Sequence, residues 1–294
     1  MATSNAVKPF RSRKRWSPSP AVSALLPLSI IIGCFFVLPI LGMAVTSFIT
    51  GDTRSGVQFS FANFAQLPED HHLALRNSAL VSGIGSLIGA VIGGITSFCI
   101  SRIRSAKLDS VTAVLSSVLA NDGGAPLAFS FIVTLGNTGV VFSLLGLEST
   151  GFSLYSWQGL IVMYQTFLIP TMVMVTLPTF VAMRKAWKEA NTSLGGSPWT
   201  FWWRVGLPVA LPSLVGGWIL LFGAAYATHA SAAVLIGSGS FQLIPLNIAS
   251  TLSSGTGPDG QGAAMALGVS MVIIAIITLF IFSRMQRRSA RWLG

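Results

Sequence analysis

Long apolar runs alternate with short polar stretches along the whole chain. A membrane-crossing helix needs about 20 mostly apolar residues. Six runs reach that length: residues 22–48, 77–100, 111–136, 159–183, 209–228 and 263–283. The first is too long for the apolar core of a signal peptide and has no clear small-residue cleavage site, so it reads as an uncleaved helix. The pattern predicts an all-α integral membrane protein of about six transmembrane helices. Its expected parts are a basic tail (1–20), a first transmembrane helix (21–48), an outer loop (49–75), a core of five transmembrane helices (76–283) with a long inner loop at 184–208, and a second basic tail (284–294). Outer loops are expected at 49–75, 137–158 and 237–262, the last rich in Gly and Ser.

Composition agrees with lipid as the solvent: 52% of residues are hydrophobic and 9% charged, and the mean hydropathy is +0.72. Charge placement then fixes the orientation. Basic residues accumulate in cytoplasmic segments of membrane proteins. With both termini in the cytoplasm, sixteen of the 18 Lys and Arg residues fall on that side, and only Arg54 and Arg76 lie outside. Five of the eight acids (Asp52, Glu69, Asp70, Glu148 and Asp259) also lie outside. The net charge of +10 is therefore a topology signal facing anionic membrane lipid and needs no nucleic-acid partner. Cys34 and Cys99 both sit in apolar runs and read as small buried hydrophobes, with neither a disulfide framework nor metal-ligand spacing. Gly85, Gly89 and Gly93, spaced by four, allow another backbone to approach one face of the second helix. That face is either a core or subunit interface, or simply part of a glycine-rich membrane helix.

The inner loop carries the sharpest signal. Helix formers (Ala186, Trp187, Lys188, Glu189, Ala190) precede a Gly195-Gly196 break, and Ser197 then looks like an N-cap with Pro198 at the first helical position. Two short helices joined at a glycine elbow are predicted near the membrane surface, shaped to dock on a cytoplasmic partner. Trp199, Trp202 and Trp203 also suit an interfacial aromatic belt. The stretch Glu189-Ala190-Asn191-Thr192-Ser193-Leu194-Gly195, nine residues, then Val205-Gly206-Leu207-Pro208 resembles the signature loop of ABC-importer permeases, whose pattern is E-A-A-x-x-x-G-x(9)-I-x-L-P. Glu189, Ala190, Gly195, Leu207 and Pro208 match in register, Asn191 replaces the second Ala, and Val205 replaces Ile. Ala74-Leu75-Arg76-Asn77-Ser78 and Gly136-Asn137-Thr138-Gly139 extend the resemblance to about residues 70–285. It implies the type I ABC importer permease fold, within the branch serving polyamines, iron(III), sulfate, phosphonates and similar small solutes. It also implies that Glu189, Ala190, Gly195, Val205, Leu207 and Pro208 couple the chain to an ATPase, that a second permease subunit of the same or a related chain completes the path, and that a periplasmic solute-binding protein delivers cargo.

No G-x-x-x-x-G-K-[ST] occurs, and none of the five lysines follows a glycine, so ATP with Mg²⁺ is expected on a separate partner subunit. No cluster of Cys, His or carboxylate has catalytic or metal spacing, and the chain is read as a non-enzymatic subunit without a cofactor of its own. An ionisable group in a bilayer costs about 3 kcal/mol on insertion scales. Asp122, inside the third run at Asn121-Asp122-Gly123-Gly124-Ala125-Pro126, therefore stands out. It either lines a solute path, with a lean toward cations, or caps a broken helix. Asn121, Tyr164, Gln165, Tyr226 and His229 are the other path candidates, and interfacial placement is the alternative for the last four. A gradient-driven secondary transporter or channel is the competing reading, with Asp122 as the sole candidate for ion coupling.

Overall fold

The computed structural model describes residues 20–50, 58–65, 67, 71–103, 105–237, 241–254 and 258–290. The 1–20 tail (but for Pro20), Asp52, Arg54, Glu69, Asp70 and the segment 291–294 lie outside them. Six helices among the described residues are long and apolar enough to cross a membrane.

The first span joins α1 (Pro20–Ile32) and α2 (Leu38–Ser47) through a π-turn at Gly33–Val37. Its cause is local. Pro39 has no N–H, and its ring crowds the carbonyl four residues earlier. The chain relaxes by letting the Leu38 N–H donate to Gly33 O, five residues back, which widens the turn and keeps the helix continuous. Beyond the span a small hairpin pairs β1 (Ile49–Thr50) with β2 (Gln58–Phe59), followed by α3 (Ala62–Ala65). Asn63 is 1% exposed. Its Nδ2 donates to Ser47 O at 3.0 Å and Ile49 O at 2.9 Å, and its amide fits only because Gly262 beneath it has no side chain.

The core helices follow. α4 (His71–Ile103) takes up the last five residues of the predicted outer loop, with His71 and His72 in its first turn. Next come α5 (Ala106–Ala120), α6 (Ala125–Leu135), α7 (Val140–Leu144), α8 (Trp157–Val181), α9 (Lys185–Ser193), α10 (Pro198–Phe201), α11 (Leu207–Ala227), α12 (Ala230–Ile236), α13 (Ile244–Ser254) and α14 (Pro258–Ala290). α8 is the axis of the bundle: more than half of its most apolar stretch is buried inside the protein, against none of that of the first span. Its Leu160, Met163, Leu168 and Met172 pack with Val81 of α4, Leu127 of α6 and Leu221 of α11.

The glycine stripe faces α8 of the same chain. A Cβ at Gly89 would lie 2.9 Å from Leu168 Cβ, and one at Gly93 would lie 2.6 Å from Met172 Cβ and 2.8 Å from the Ile169 carbonyl. One turn further on, Ser97 Oγ and Thr176 Oγ1 share a buried hydrogen bond of 2.7 Å. The stripe is thus a core interface between two helices that nearly touch. Trp218 Nε1 of α11 donates to Ser86 Oγ at 3.1 Å and ties the third central helix to α4.

Four expectations are corrected. The third span is not residues 111–136 but Ala125–Leu144, and the run breaks between α5 and α6 at residues 121–124, where Gly123, Gly124 and Pro126 interrupt it as expected. The stretch 237–262, expected as a loop, contains α13 and the start of α14. Ser78 Oγ accepts the Ile244 N–H at 2.9 Å and Asn77 Nδ2 donates to Gln242 O at 3.2 Å, so the Arg76-Asn77-Ser78 segment holds the entry to α13. The last helix continues to Ala290, past the expected boundary at 283. Cys34 and Cys99 are exposed, because an apolar run in lipid need not be buried in protein.

Candidate functional site

The predicted short helix is present as α9, and all of its residues but Asn191 are exposed. It ends on a Schellman stop. Gly195 adopts φ +74°, the Gly195 N–H donates to Thr192 O at 3.0 Å, and the Gly196 N–H donates to Asn191 O at 2.8 Å. Gly195 has open space around it, so the left-handed backbone and not crowding demands glycine there. Asn191 closes the elbow: its Nδ2 donates to Gly196 O at 2.9 Å and Ser197 O at 3.1 Å. Ser197 is the N-cap of α10, its Oγ accepting the Thr200 N–H at 3.2 Å, with Pro198 behind it.

The second short helix is not free-standing. α10 runs through a π-turn (Trp202–Gly206) directly into α11, and together they form the fifth span, Pro198–Ala227. Pro208 repeats the device of Pro39. The Leu207 N–H reaches back to Trp202 O, so Leu207-Pro208 widens the helix without ending it. Gly206 lies against the Trp202 indole, where a Cβ would collide with the ring. Trp202 in turn packs edge-on against Phe98 of α4 at 4.9 Å, with the Arg102 guanidinium over Phe98 at 4.7 Å and over Trp202 at 5.6 Å. Trp199 and Trp203 are 71% and 57% exposed and suit the interfacial belt. The exposed helix α9, which carries Glu189 and Ala190, is therefore joined through the Asn191 elbow to α10, and through Trp202 beyond it to α4.

The path candidates separate into two groups. Asp122 and Asn121 are exposed at the α5–α6 break. Asn121 Nδ2 donates back to Ser117 O at 2.8 Å. The N-cap of α6 is Gly124, with φ +81° and no side-chain cap, so Asp122 does not cap that helix. A Cβ at Gly124 would lie 3.9 Å from Ala230 Cβ. The α5–α6 break therefore abuts the α11–α12 break, where His229 is exposed. Tyr226, just before it, is buried, and its hydroxyl and that of Ser231 have no hydrogen-bond partner among the described residues. Tyr164 and Gln165 lie elsewhere: Tyr164 is 2% exposed in the core beside Phe167, and Gln165 Nε2 donates to Gly85 O at 3.1 Å, bridging α8 to α4. Among the described residues no three His, Cys, Asp or Glu side chains are grouped to hold a metal.

No protein-family model matches the chain. It is 25% identical over 255 residues to the spermidine/putrescine transport system permease protein PotC of Escherichia coli (strain K12), covering 85% of this chain and 90% of that one. It is 26% identical over 212 residues to the molybdenum transport system permease protein ModB of Mycobacterium tuberculosis, covering 70% and 76%. Its fold matches a chain of a bacterial alginate ABC transporter crystallised in complex with an alginate pentasaccharide-bound periplasmic protein, with a TM-score of 0.67, 18% identity, and coverage of 91% of this chain and 94% of that one. The chain is homologous to ABC transporter permease subunits. The chain is accordingly a multi-pass inner-membrane protein.

The exposed helix and its glycine stop are legible in the sequence of this chain, but the contacts that fasten them are not. Asn191 stands at one of the two positions that depart from the signature, and its short amide is the group that reaches two carbonyls across the elbow. Trp202 was legible only as one of several tryptophans. The adjacent Gly206, which leaves room for a ring, was the available signal.

Proposed function

We propose that this chain is one of two permease subunits enclosing an alternating-access path, with both termini in the cytoplasm, in an ATP-driven importer fed by a periplasmic solute-binding protein. ATP with Mg²⁺ is bound and hydrolysed on separate cytoplasmic subunits that dock on α9, and this chain performs no bond chemistry. The observation that carries the reading is α9 itself. An exposed helix, stopped by Gly195 and Asn191 and bolted through Trp202 to α4 and α11, passes a push from outside the bilayer into the bundle. Such coupling requires docking energy that differs between the inward- and outward-open states. Glu189, Ala190, Gly195, Val205, Leu207 and Pro208 form the coupling segment in this reading.

Purification of the tagged chain from its host in mild detergent tests it. An ATPase carrying P-loop motifs co-purifies with the wild type and is released from Gly195→Trp. Recovery of the chain alone, or only with itself, would make the gradient-driven transporter the better reading.

For cargo, the relatives include permeases named for spermidine/putrescine and for molybdenum. The uncapped Asp122 carboxylate, at the place where two helix breaks meet and His229 is exposed, favours a small cation such as a polyamine over an oxyanion or a phosphonate. Asp122→Asn removes the charge at constant volume. Uptake of a cationic solute is expected to fall roughly tenfold, the worth of one charged hydrogen bond. Unchanged uptake of radiolabelled polyamine would remove Asp122 from the path.

A further inference from the structure

An apolar groove of about 550 Å³ runs along the bundle surface between α4, α8 and α11, past Val91, Ile95, Leu207, Leu214 and Trp218. At its end it opens into a second hollow of about 330 Å³ that contains Arg102, Arg184, Lys185 and Lys188 and no acidic residue. The two share Phe98, Phe180 and Trp202 and so form one continuous depression. Val91 and Ile95 are 53% and 59% exposed, so the groove is open sideways to the surroundings of the bundle. Arg102 lies at the junction, its guanidinium held over the Phe98 and Trp202 rings.

We infer that this depression is a binding site for one anionic phospholipid, with an acyl chain in the groove and the phosphate in the basic bowl. The shape selects an amphiphile. A free anion or an acidic protein surface would account for four cations without acids but not for the apolar groove beneath them. A second copy of the bundle would account for the groove but would leave the cations unmatched. Basic hollows between transmembrane helices suit anionic lipid headgroups. The four cations come from the end of α4 and the start of α9, two segments that meet only in the fold. The lipid would thus touch both the Trp202 anchor and the helix that it supports. Its assignment to the inner leaflet rests on the orientation proposed above, but the binding test does not.

The full chain, with any subunits that stay bound, is delipidated in a neutral detergent, and native mass spectrometry follows retention of phosphatidylglycerol or phosphatidylcholine of equal chain length. One phosphatidylglycerol per chain is expected to be retained in preference to phosphatidylcholine. Arg102→Gln with Arg184→Gln should weaken retention roughly thirtyfold, at about fivefold per cation near a membrane surface. The Arg→Lys pair should restore most of it and show that the bundle is intact. Val91→Trp, which fills the groove, should also weaken retention. Equal retention of the two lipids, or wild-type retention by the Gln pair, overturns the proposal. So does glycerol 3-phosphate competing as well as whole lipid, since the bowl is then a plain anion site. Disulfide cross-linking of two copies through Val91→Cys would likewise overturn it, because the groove is then a subunit interface.

Discussion

Solute uptake in Glu189→Lys or Gly195→Trp cells is expected to fall by more than about a hundredfold, while both variants insert into the membrane at the wild-type level. The two substitutions act differently. Glu189 is exposed on α9, so reversing its charge alters this chain's stability by no more than about 0.5 kcal/mol. At a docking surface a like-charge contact costs several kcal/mol, and that sets the hundredfold. Gly195 has φ +74°, and a Cβ there would meet nothing within 4 Å. Any side chain there strains the backbone by about 1–2 kcal/mol, but an indole also projects into open space where the ATPase would seat. Gly195→Ala separates the two terms. It carries the strain without the bulk and should keep most uptake. Transport assays paired with membrane-fraction immunoblots check all three. Normal uptake in both Glu189→Lys and Gly195→Trp would sink the coupling assignment.

Within the glycine stripe the expected effects diverge sharply over two helical turns. Gly93→Leu should unfold or misassemble the bundle, costing about 3 kcal/mol or more. Its Cβ alone would stand 2.6 Å from Met172 Cβ and 2.8 Å from the Ile169 carbonyl, and a backbone atom on a packed helix cannot swing aside. Gly85→Ala should be harmless. Its Cβ would meet Leu168, Gln165 and Ile161 at 3.8–4.0 Å, ordinary contact distances, and alanine gains about 0.5 kcal/mol of helix preference. Thermal unfolding in detergent, read as loss of the monodisperse gel-filtration peak, distinguishes them. Equal midpoints for the two variants would show that α4 and α8 do not approach as closely as described.

The sequence by itself determined the number of spans, because lipid forces backbone polar groups to pair within each helix and so writes length and hydropathy directly into the chain. It also determined the glycine elbow, since a left-handed residue after a helix and a Ser-Pro cap are local events. What it left open depends on contacts between distant segments. Hydropathy could not tell lipid-facing from buried positions, so Cys34 and Cys99 were read as buried and are exposed, while Tyr164 and Gln165, open between path and interface, pack α8 against the core and α4. Gly and Pro announced the interruption at Asn121–Gly124, but its neighbour, the break at His229, is placed beside it only by the fold. Gly- and Ser-rich composition concealed α13, which owes its position to Asn77 and Ser78 some 165 residues away. Pro208 marks the start of the fifth span in one dimension. In three, the π-turn before it keeps the helix continuous and brings Trp202 against Phe98, and that contact, between residues a hundred positions apart, is what makes the exposed helix part of the bundle.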